Sequence, residues 1–403
     1  REVVAADVKF SLERLVDPAT AAPSASELAS MESVEAADDY TVVLKVKARD
    51  ASLLANLAGS ATIIMPKEVV EENGDLSQVA VGSGPFTFKE YVPNTKVTLE
   101  KNAEYWEEGL PYLDGLELLI APEDNSRTAA LVSGTVDFIE YVPSKDIELL
   151  QADSSIALAG NSIQQIRMLG FNLRREPFTN LKVRQAIAAV MDRDAIIEAS
   201  LFGFGTATDT LFAQDSWAAL KREIPPPDVE KGKALMAEAG FPDGFKTTIT
   251  AWSQYDFLRN AAIVVQEQIK QLGIEAELNP VENATMIQQV YVDHEYDLVV
   301  TGNSGFVDPN SLILDAFGSE ESGNFTGYNN PQVDELIAAG IAETEQAKRA
   351  EIYQQIQQIL LDELPWVSLF IGQQYEAMKT YVKGYEHNPT GANQAMLWSW
   401  LDK

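Results

Sequence analysis

The chain has 403 residues, 46% of them hydrophobic, which is enough for two or more domains with a large core and too apolar for a disordered polymer. Its 61 acidic and 30 basic residues leave a net charge of −31, which argues against nucleic acid and anionic membrane surfaces as partners. Cysteine is absent and the only histidines are His294 and His387, so thiolate chemistry and a tight soft-metal site are not expected. The longest apolar candidate, Ile356 to Phe370, is broken by Asp362, Glu363 and Pro365 and does not read as a membrane span.

In chain order, Val4, Val8, Leu12 and Leu15 fall at helical spacing. Thr41–Val46 reads as a strand set off by Asp38-Asp39-Tyr40. Gly82-Ser83-Gly84-Pro85 is a turn that sends the chain into Phe86–Tyr91, which alternates like a half-buried strand. Val92-Pro93-Asn94-Thr95 has turn chemistry and Val97-Thr98-Leu99 is rich in β-formers, so the unit reads as a hairpin. Leu116–Ile120 is a further strand, and Asn125–Ser133 a helix capped by Gly134 and followed by a strand.

Val183, Ile187, Val190 and Met191 mark another helix, and Asp192 and Asp194 suit the positive end of the next. Ile224–Asp228 is a rigid loop before a helix ending at Gly240. Between Arg259 and Leu278 a helix with the apolar stripe Ile263, Val264, Ile269 and Leu272 stops at Gly273 and gives way to an alternating strand. Tyr296–Thr301 is a buried strand running into Gly302-Asn303-Ser304-Gly305, and Val333–Leu361 is helical. No internal repeat or low-complexity tract is present.

Enzyme motifs fail. There is no G-x-S-x-G elbow, H-E-x-x-H or P-loop, and Gly203-Phe204-Gly205 has Thr208 where a dinucleotide fingerprint needs its third glycine. With 61 carboxylates, a proposed acid–base pair carries no information. The sequence is read as a non-enzyme without cofactors.

Two segments carry a resemblance. Gly82-Ser83-Gly84-Pro85-Phe86, with Lys101-Asn102 and Tyr105-Trp106 after it, resembles the Gly-Thr-Gly-Pro-Tyr turn and Arg-Asn-x-x-Tyr-Trp ending of family 5 extracellular solute-binding proteins of bacterial ABC importers. Phe171-Asn172, Pro177-Phe178, Val183-Arg184-Gln185-Ala186-Ile187 and Met191-Asp192-Arg193 match a second, distant signature of that family. Weaker landmarks are Asp7–Arg14, Ser133–Asp137, Asp308-Pro309, Tyr328–Asp334 and Leu364–Phe370. Ala51–Leu57 resembles a short family helix, and Ile63–Lys67 the strand before the turn. Val4 stands where the family has an N-cap threonine.

The resemblance implies an α/β fold of the periplasmic-binding-protein type II-like class, with two lobes (three subdomains) joined by hinge strands and an N-terminal segment missing. Residues 1–80 are expected to be the remainder of the small subdomain, 81–163 and 373–403 the first lobe, and 164–372 the second. The implied function is the substrate-binding component of an ABC import system. It captures an oligopeptide-like, opine-like or sugar-like solute for permease transmembrane subunits, as a monomer in the periplasmic or extracellular space, lipid-anchored through the missing N-terminus. A ligand-binding sensor signalling to a membrane partner is the alternative.

Candidate ligand contacts lie on the loop after the buried strand and, earlier in the chain, around Arg259. Peptide-binding relatives carry Gly-Trp-x-x-Asp before Asp-Pro, where the Trp stacks and the Asp pairs with the amino group. Counting back from Asp308-Pro309 puts Gly302 at the Trp position and Gly305 at the Asp position, so both determinants are absent. Asn303 and Ser304 offer neutral hydrogen bonds and Phe306 a ring, which suit an uncharged ligand, though the segment also reads as a plain turn. Arg259 resembles an arginine that holds the peptide carboxylate, and it also reads as a solvated helix-start residue. Trp252 and Tyr255, with Phe257, crowd the loop before it. Gln164 and Gln165 precede the strand into Phe171-Asn172, and Trp217 is a lesser candidate. Asp308 is expected to cap a helix rather than touch ligand.

Overall fold

The first helix, α1 (Ala5–Val16), buries Leu12 and Leu15 against Leu28, Met31 and Val34. Val4 has no side-chain acceptor for the helix start, and the Asp7 carboxylate takes the Val4 N–H instead, at 2.9 Å. The Arg1 guanidinium beside it holds the Asp7 carboxyl down at about 2. These features belong to a computed structural model that describes residues 1–22, 24–74, 76, 79–304, 308–388 and 393–403. The chain divides into two units, Arg1–Asn161 with Gln374–Lys403, and Ser162–Gln373.

In the first unit an antiparallel hairpin, β1 (Met31–Asp38) with β2 (Thr41–Val46), is followed by short helices α2 (Leu53–Leu57) and α3 (Lys67–Asn73). An antiparallel sheet of β3 (Phe86–Val92), β4 (Lys96–Lys101) and β5 (Gly115–Leu119) comes next. The turn before β3 is tied to the end of β4. The Asn102 side chain donates to the Gly84 carbonyl at 2.8 Å, and its backbone N–H donates to Pro85 O at 2.9 Å. The glycine-rich signature is thus a hairpin clamp.

Two expectations fail in this unit. Ile63–Met65 form no strand: the Met65 N–H goes to Ser11 Oγ at 2.8 Å and the chain passes into α3. Strand β3 is largely exposed, with Phe88 at 37% and Tyr91 at 47%, because the β3–β5 sheet contributes no fully buried residue to the core. Helix α4 (Asp124–Ser133) ends at Gly134 in the left-handed region, φ 77°, as the cap requires. After it come the two-residue strand β6 (Phe138–Ile139) and α5 (Ile147–Ala152). The long strand β7 (Ile156–Phe171) carries the chain into the second unit.

The second unit contains α6 (Leu181–Ala189), α7 (Arg193–Leu201), β8 (Gly205–Ala207), α8 (Val229–Glu238), β9 (Lys246–Trp252), α9 (Asp256–Lys270) and β10 (Glu275–Val281). It continues through α10 (Asn283–Met286), a π-helical turn, β11 (Leu298–Ser304), α11 (Pro309–Phe317), α12 (Pro331–Ala342) and α13 (Gln346–Glu363), and leaves along β12 (Trp366–Lys379). Its sheet has the order β10-β9-β11-β7-β12, with β8 on β12. Strands β9, β10 and β11 are parallel and β7 is antiparallel to β11. Alternation along the strands divides the core between the two faces. Leu169, Phe171, Leu298 and Val300 pack with α6, α7 and α9, whereas Ile166, Met168 and Val299 pack with Phe317, Tyr353 and Trp366.

The second sequence signature turns out to be structural. The fully buried Asn172 side chain donates to the carbonyls of His294 (2.9 Å) and Tyr296 (2.8 Å), and Arg193 donates to Thr208 and Ser368 carbonyls. Arg184 donates to the carbonyls of Phe178, Thr179, Glu363 and Leu364. Of the stripe expected on α9, Ile269 is buried, as is Leu272 just after the helix, and Val264 packs on the same core, whereas Ile263 does not. Leu258, Ala261, Ala262, Val265 and Ile269 face the core, and Ile263 is 43% exposed, because the buried face already repeats every three to four residues without it. Val333–Leu361 is two helices rather than one. Glu343 turns extended and its carboxylate takes the Glu345 N–H at 2.8 Å.

Back in the first unit, β12 pairs with β6 at Ala377↔Ile139, and β13 (Val382–Lys383) pairs with β14 (Trp400–Leu401). Glu376 there is 2% exposed and accepts from Gln374 Nε2 (3.0 Å), with His387 Nδ1 at 2.8 Å. Burial, and then the Glu376 charge, push the neighbouring Glu140 carboxyl up. A raised native pKa means that ionised Glu140 destabilises the fold at neutral pH, and the penalty vanishes as pH falls below the unfolded carboxyl range. Glu140→Gln is therefore expected to raise the thermal midpoint at pH 7 and to lose that advantage in acid. An unchanged midpoint at pH 7 would contradict this.

Candidate functional site

The candidate residues with described positions gather in the second unit, where β7, β11 and β9 lie side by side. Antiparallel register sets Thr301 opposite Met168, Gly302 opposite Arg167, Asn303 opposite Ile166 and Ser304 opposite Gln165. Met168 and Ile166 are buried in the core. The Trp252 indole N–H, at the end of β9, donates to Thr301 Oγ1 at 3.1 Å, and the Tyr291 hydroxyl lies 3.1 Å from the same oxygen. Burial pushes the Tyr291 phenol up, so it stays a neutral hydrogen-bonding group.

An aromatic row continues from Trp252 to Tyr255 (centroids 6.0 Å, edge-on) and from Tyr255 to Phe257 (5.9 Å). Over the Phe257 ring, 5.3 Å from its centroid, sits the Arg167 guanidinium. Its Nη2 donates to Gln165 Oε1, and its Nε is buried with no hydrogen-bond partner. Gly302 makes room for it, since a Cβ at 302 would fall 2.4 Å from Arg167 Nη1 and 2.6 Å from its Cδ. The structure thus brings Trp252, Tyr255 and Gln165 together with Arg167 and Phe257, next to Asn303. Gly305 and Phe306 lie outside the described residues.

Arg259, in the first turn of α9, is already engaged. It donates to the Ser253 carbonyl (2.8 Å) and to Asp256 Oδ1 (2.7 Å). Asp308 caps α11 through the Asn310 N–H (2.9 Å) and is gripped by Arg349 at 2.7 and 2.9 Å. Trp217 belongs to that buried network, with the Arg349 guanidinium 5.4 Å from its ring. Sequence reasoning missed Arg167. The available signal was one arginine set between buried apolar residues, in Ile163-Gln164-Gln165-Ile166-Arg167-Met168-Leu169.

Among the described residues no group of three or more His, Asp or Glu can hold a metal ion. The histidines lie in different units, His294 near the Val290 carbonyl and His387 on Glu376. Dialysed protein is expected to carry no stoichiometric nickel or zinc. Elemental analysis finding one tightly held metal per chain, without a chelating small molecule, would contradict this.

An aromatic row and the Arg167 guanidinium thus gather where β9 and β11 end beside β7, on an α/β fold of the periplasmic-binding-protein kind. A sequence model described as Bacterial extracellular solute-binding proteins, family 5 Middle matches residues 1–325, and the chain belongs to that family. It is 30% identical over 422 residues to Heme-binding protein A of Haemophilus influenzae, covering 97% of this chain and 76% of that protein. It is 28% identical over 415 residues to Oligopeptide-binding protein AppA of Bacillus subtilis, covering 96% and 76%. Among solved structures, the PBP AgaA in complex with agropinic acid (A. tumefaciens R10) superposes with a TM-score of 0.88 at 30% identity, covering 100% of this chain and 84% of that one. DppA from Helicobacter pylori in complex with the peptide STSA gives 0.87 at 26% identity, covering 100% and 82%. These relatives are binding proteins, and the chain is a solute-binding receptor of ABC import, not an enzyme. Proteins of this family act in the periplasm or outside the cell. No helix among the described residues is long and apolar enough to cross a membrane.

Proposed function

We propose that this receptor captures a small neutral or anionic solute, opine-like or otherwise amino-acid-derived, rather than a free α-peptide, and hands it to a permease. Trp252, Tyr255, Gln165 and Asn303 are its contacts in this reading, and the sequence has Gly305 where peptide-binding relatives carry the acid for an amino group. The observation that carries this reading is that the acids flanking the loop are spent: Asp256 on Arg259, and Asp308 on Arg349 and the α11 cap. Asp315, on α11, is pushed up by burial and then by Glu321, so a charge there is costly. Thr301, Tyr291 and the Trp252 indole hydrogen-bond one another and bring no charge to this face. Agropinic acid, the ligand in the structure of AgaA, belongs to this chemical class.

An ammonium entering such a surface unpaired loses several kcal/mol, so free di- and tripeptides are expected to bind at least roughly a hundredfold more weakly than the preferred solute. Gly305→Asp is expected to improve peptide binding. Calorimetry with Ala-Ala and Ala-Ala-Ala decides it, and tight binding to the unmodified protein would assign the amine to another acid such as Asp315 and overturn the reading.

A further inference from the structure

We infer that Arg167 is the anion receptor of this face and that its guanidinium binds a carboxylate of the captured solute. The inference rests on solute capture at the ends of β7, β9 and β11 and adds the chemical class of the recognised group.

Guanidinium groups taken from water need acceptors for their five donors. Every other arginine of the second unit has carbonyl or carboxylate partners. Arg174 has Phe325 O, Arg175 has Asp297 and Arg222 has Asp209. Arg184 and Arg193 bind carbonyls, and Arg259 and Arg349 bind Asp256 and Asp308. Arg167 has neither among the described residues. Its one hydrogen bond goes to the neutral Gln165 amide oxygen, and its Nε has none. A fold that served only itself would have placed an acid or a carbonyl there.

The arrangement also fixes the group for use. Phe257 supports the guanidinium plane by a cation–π contact and Gln165 sets the direction of one Nη. Gly302 on the facing strand supplies the room. Such a held fork suits the two oxygens of a carboxylate and loses little entropy on binding. Burial brings the Arg167 pKa down to about 10, which leaves it fully protonated at neutral pH. Arg259, whose Asp256 partner already neutralises it, is the poorer anion receptor of the two.

Two measurements test this. The Arg167 Nε–Hε resonance, assigned by its loss in Arg167→Lys, is expected to shift saturably with acetate and to stay still with acetamide. No response to acetate would overturn the inference whatever the protein transports. A response to inorganic phosphate alone would overturn the carboxylate assignment. In calorimetry with agropinic acid and glutathione, each against its fully amidated form, the acid is expected to bind at least roughly a hundredfold more tightly. Arg167→Met is expected to abolish that preference, bringing acid and amide to within about threefold of each other. Equal binding of acid and amide would overturn the inference but leave solute capture standing. If neither acid binds the wild type, the solute class proposed above is wrong for those compounds, and the acetate shift alone decides Arg167.

Discussion

Replacing Arg349 by methionine is expected to destabilise the second unit by about 3–5 kcal/mol. The Arg349 and Asp308 side chains are 7% and 8% exposed and meet through two hydrogen bonds of 2.7 and 2.9 Å. Arg349 also donates to the Tyr353 hydroxyl at 2.7 Å and to the Gly340 carbonyl at 3.1 Å. Removing it leaves a buried carboxylate with, among the described residues, only the Asn310 N–H for compensation. Methionine keeps most of the volume, so the loss reports the charge rather than a cavity. The double variant Asp308→Asn, Arg349→Met removes both charges and is expected to recover at least half of the loss. Urea unfolding of the single and double variants measures this. A single-variant loss below about 1 kcal/mol, the range of an exposed pair, would show that water reaches the site.

Arg184 carries the second large effect, about 2–4 kcal/mol on replacement by methionine, because charged hydrogen bonds are worth more than neutral ones and the Phe178 carbonyl left behind is buried. Its fork joins the Phe178-Thr179 turn to the end of α13, where Leu364 is held at φ 49° without being glycine. Lysine keeps the charge but has no fork, so Arg184→Lys is expected to lose at least half as much. Hydrogen exchange localises the damage. Amides of the last turn of α13 and of Phe178–Asn180 should lose protection first. If they keep it, the clamp is not what secures that corner.

Arg184 also explains why part of the fold was legible in the sequence. Arg184, Asn172 and Arg193 have fixed neighbours because each bonds backbone carbonyls of distant segments, and such constraints leave a motif. Asn102 does the same for the glycine turn. Periodicity also located α9 and most of its buried face, and it erred at Ile263, which is as apolar as its neighbours while only packing decides which of them meets the sheet. Ile63–Met65 carried the composition of a strand, yet no partner strand lies beside them and Ser11 takes the Met65 amide. Of the candidate site, Trp252 and Tyr255 stand out by their place at a strand end and the turn after it, and Gln165 by its place before Phe171-Asn172. Arg167 was hidden because its meaning depends on a residue 135 positions away, the Gly302 placed opposite it by strand register. A lone arginine in an apolar strand does not announce which partner it lacks.

The opposition of Gly302 and Arg167 also constrains how this receptor can change. Any side chain at 302 strikes the guanidinium at 2.4 Å and the Ile166 carbonyl at 2.7 Å. An aromatic residue therefore enters that strand only after the arginine has given way to something shorter and the β7 backbone has shifted. Losing the arginine first leaves a hole lined by Phe257 and Gln165. A library that varies Gly302 by itself is expected to recover glycine, and larger residues there come only from varying position 167 with it.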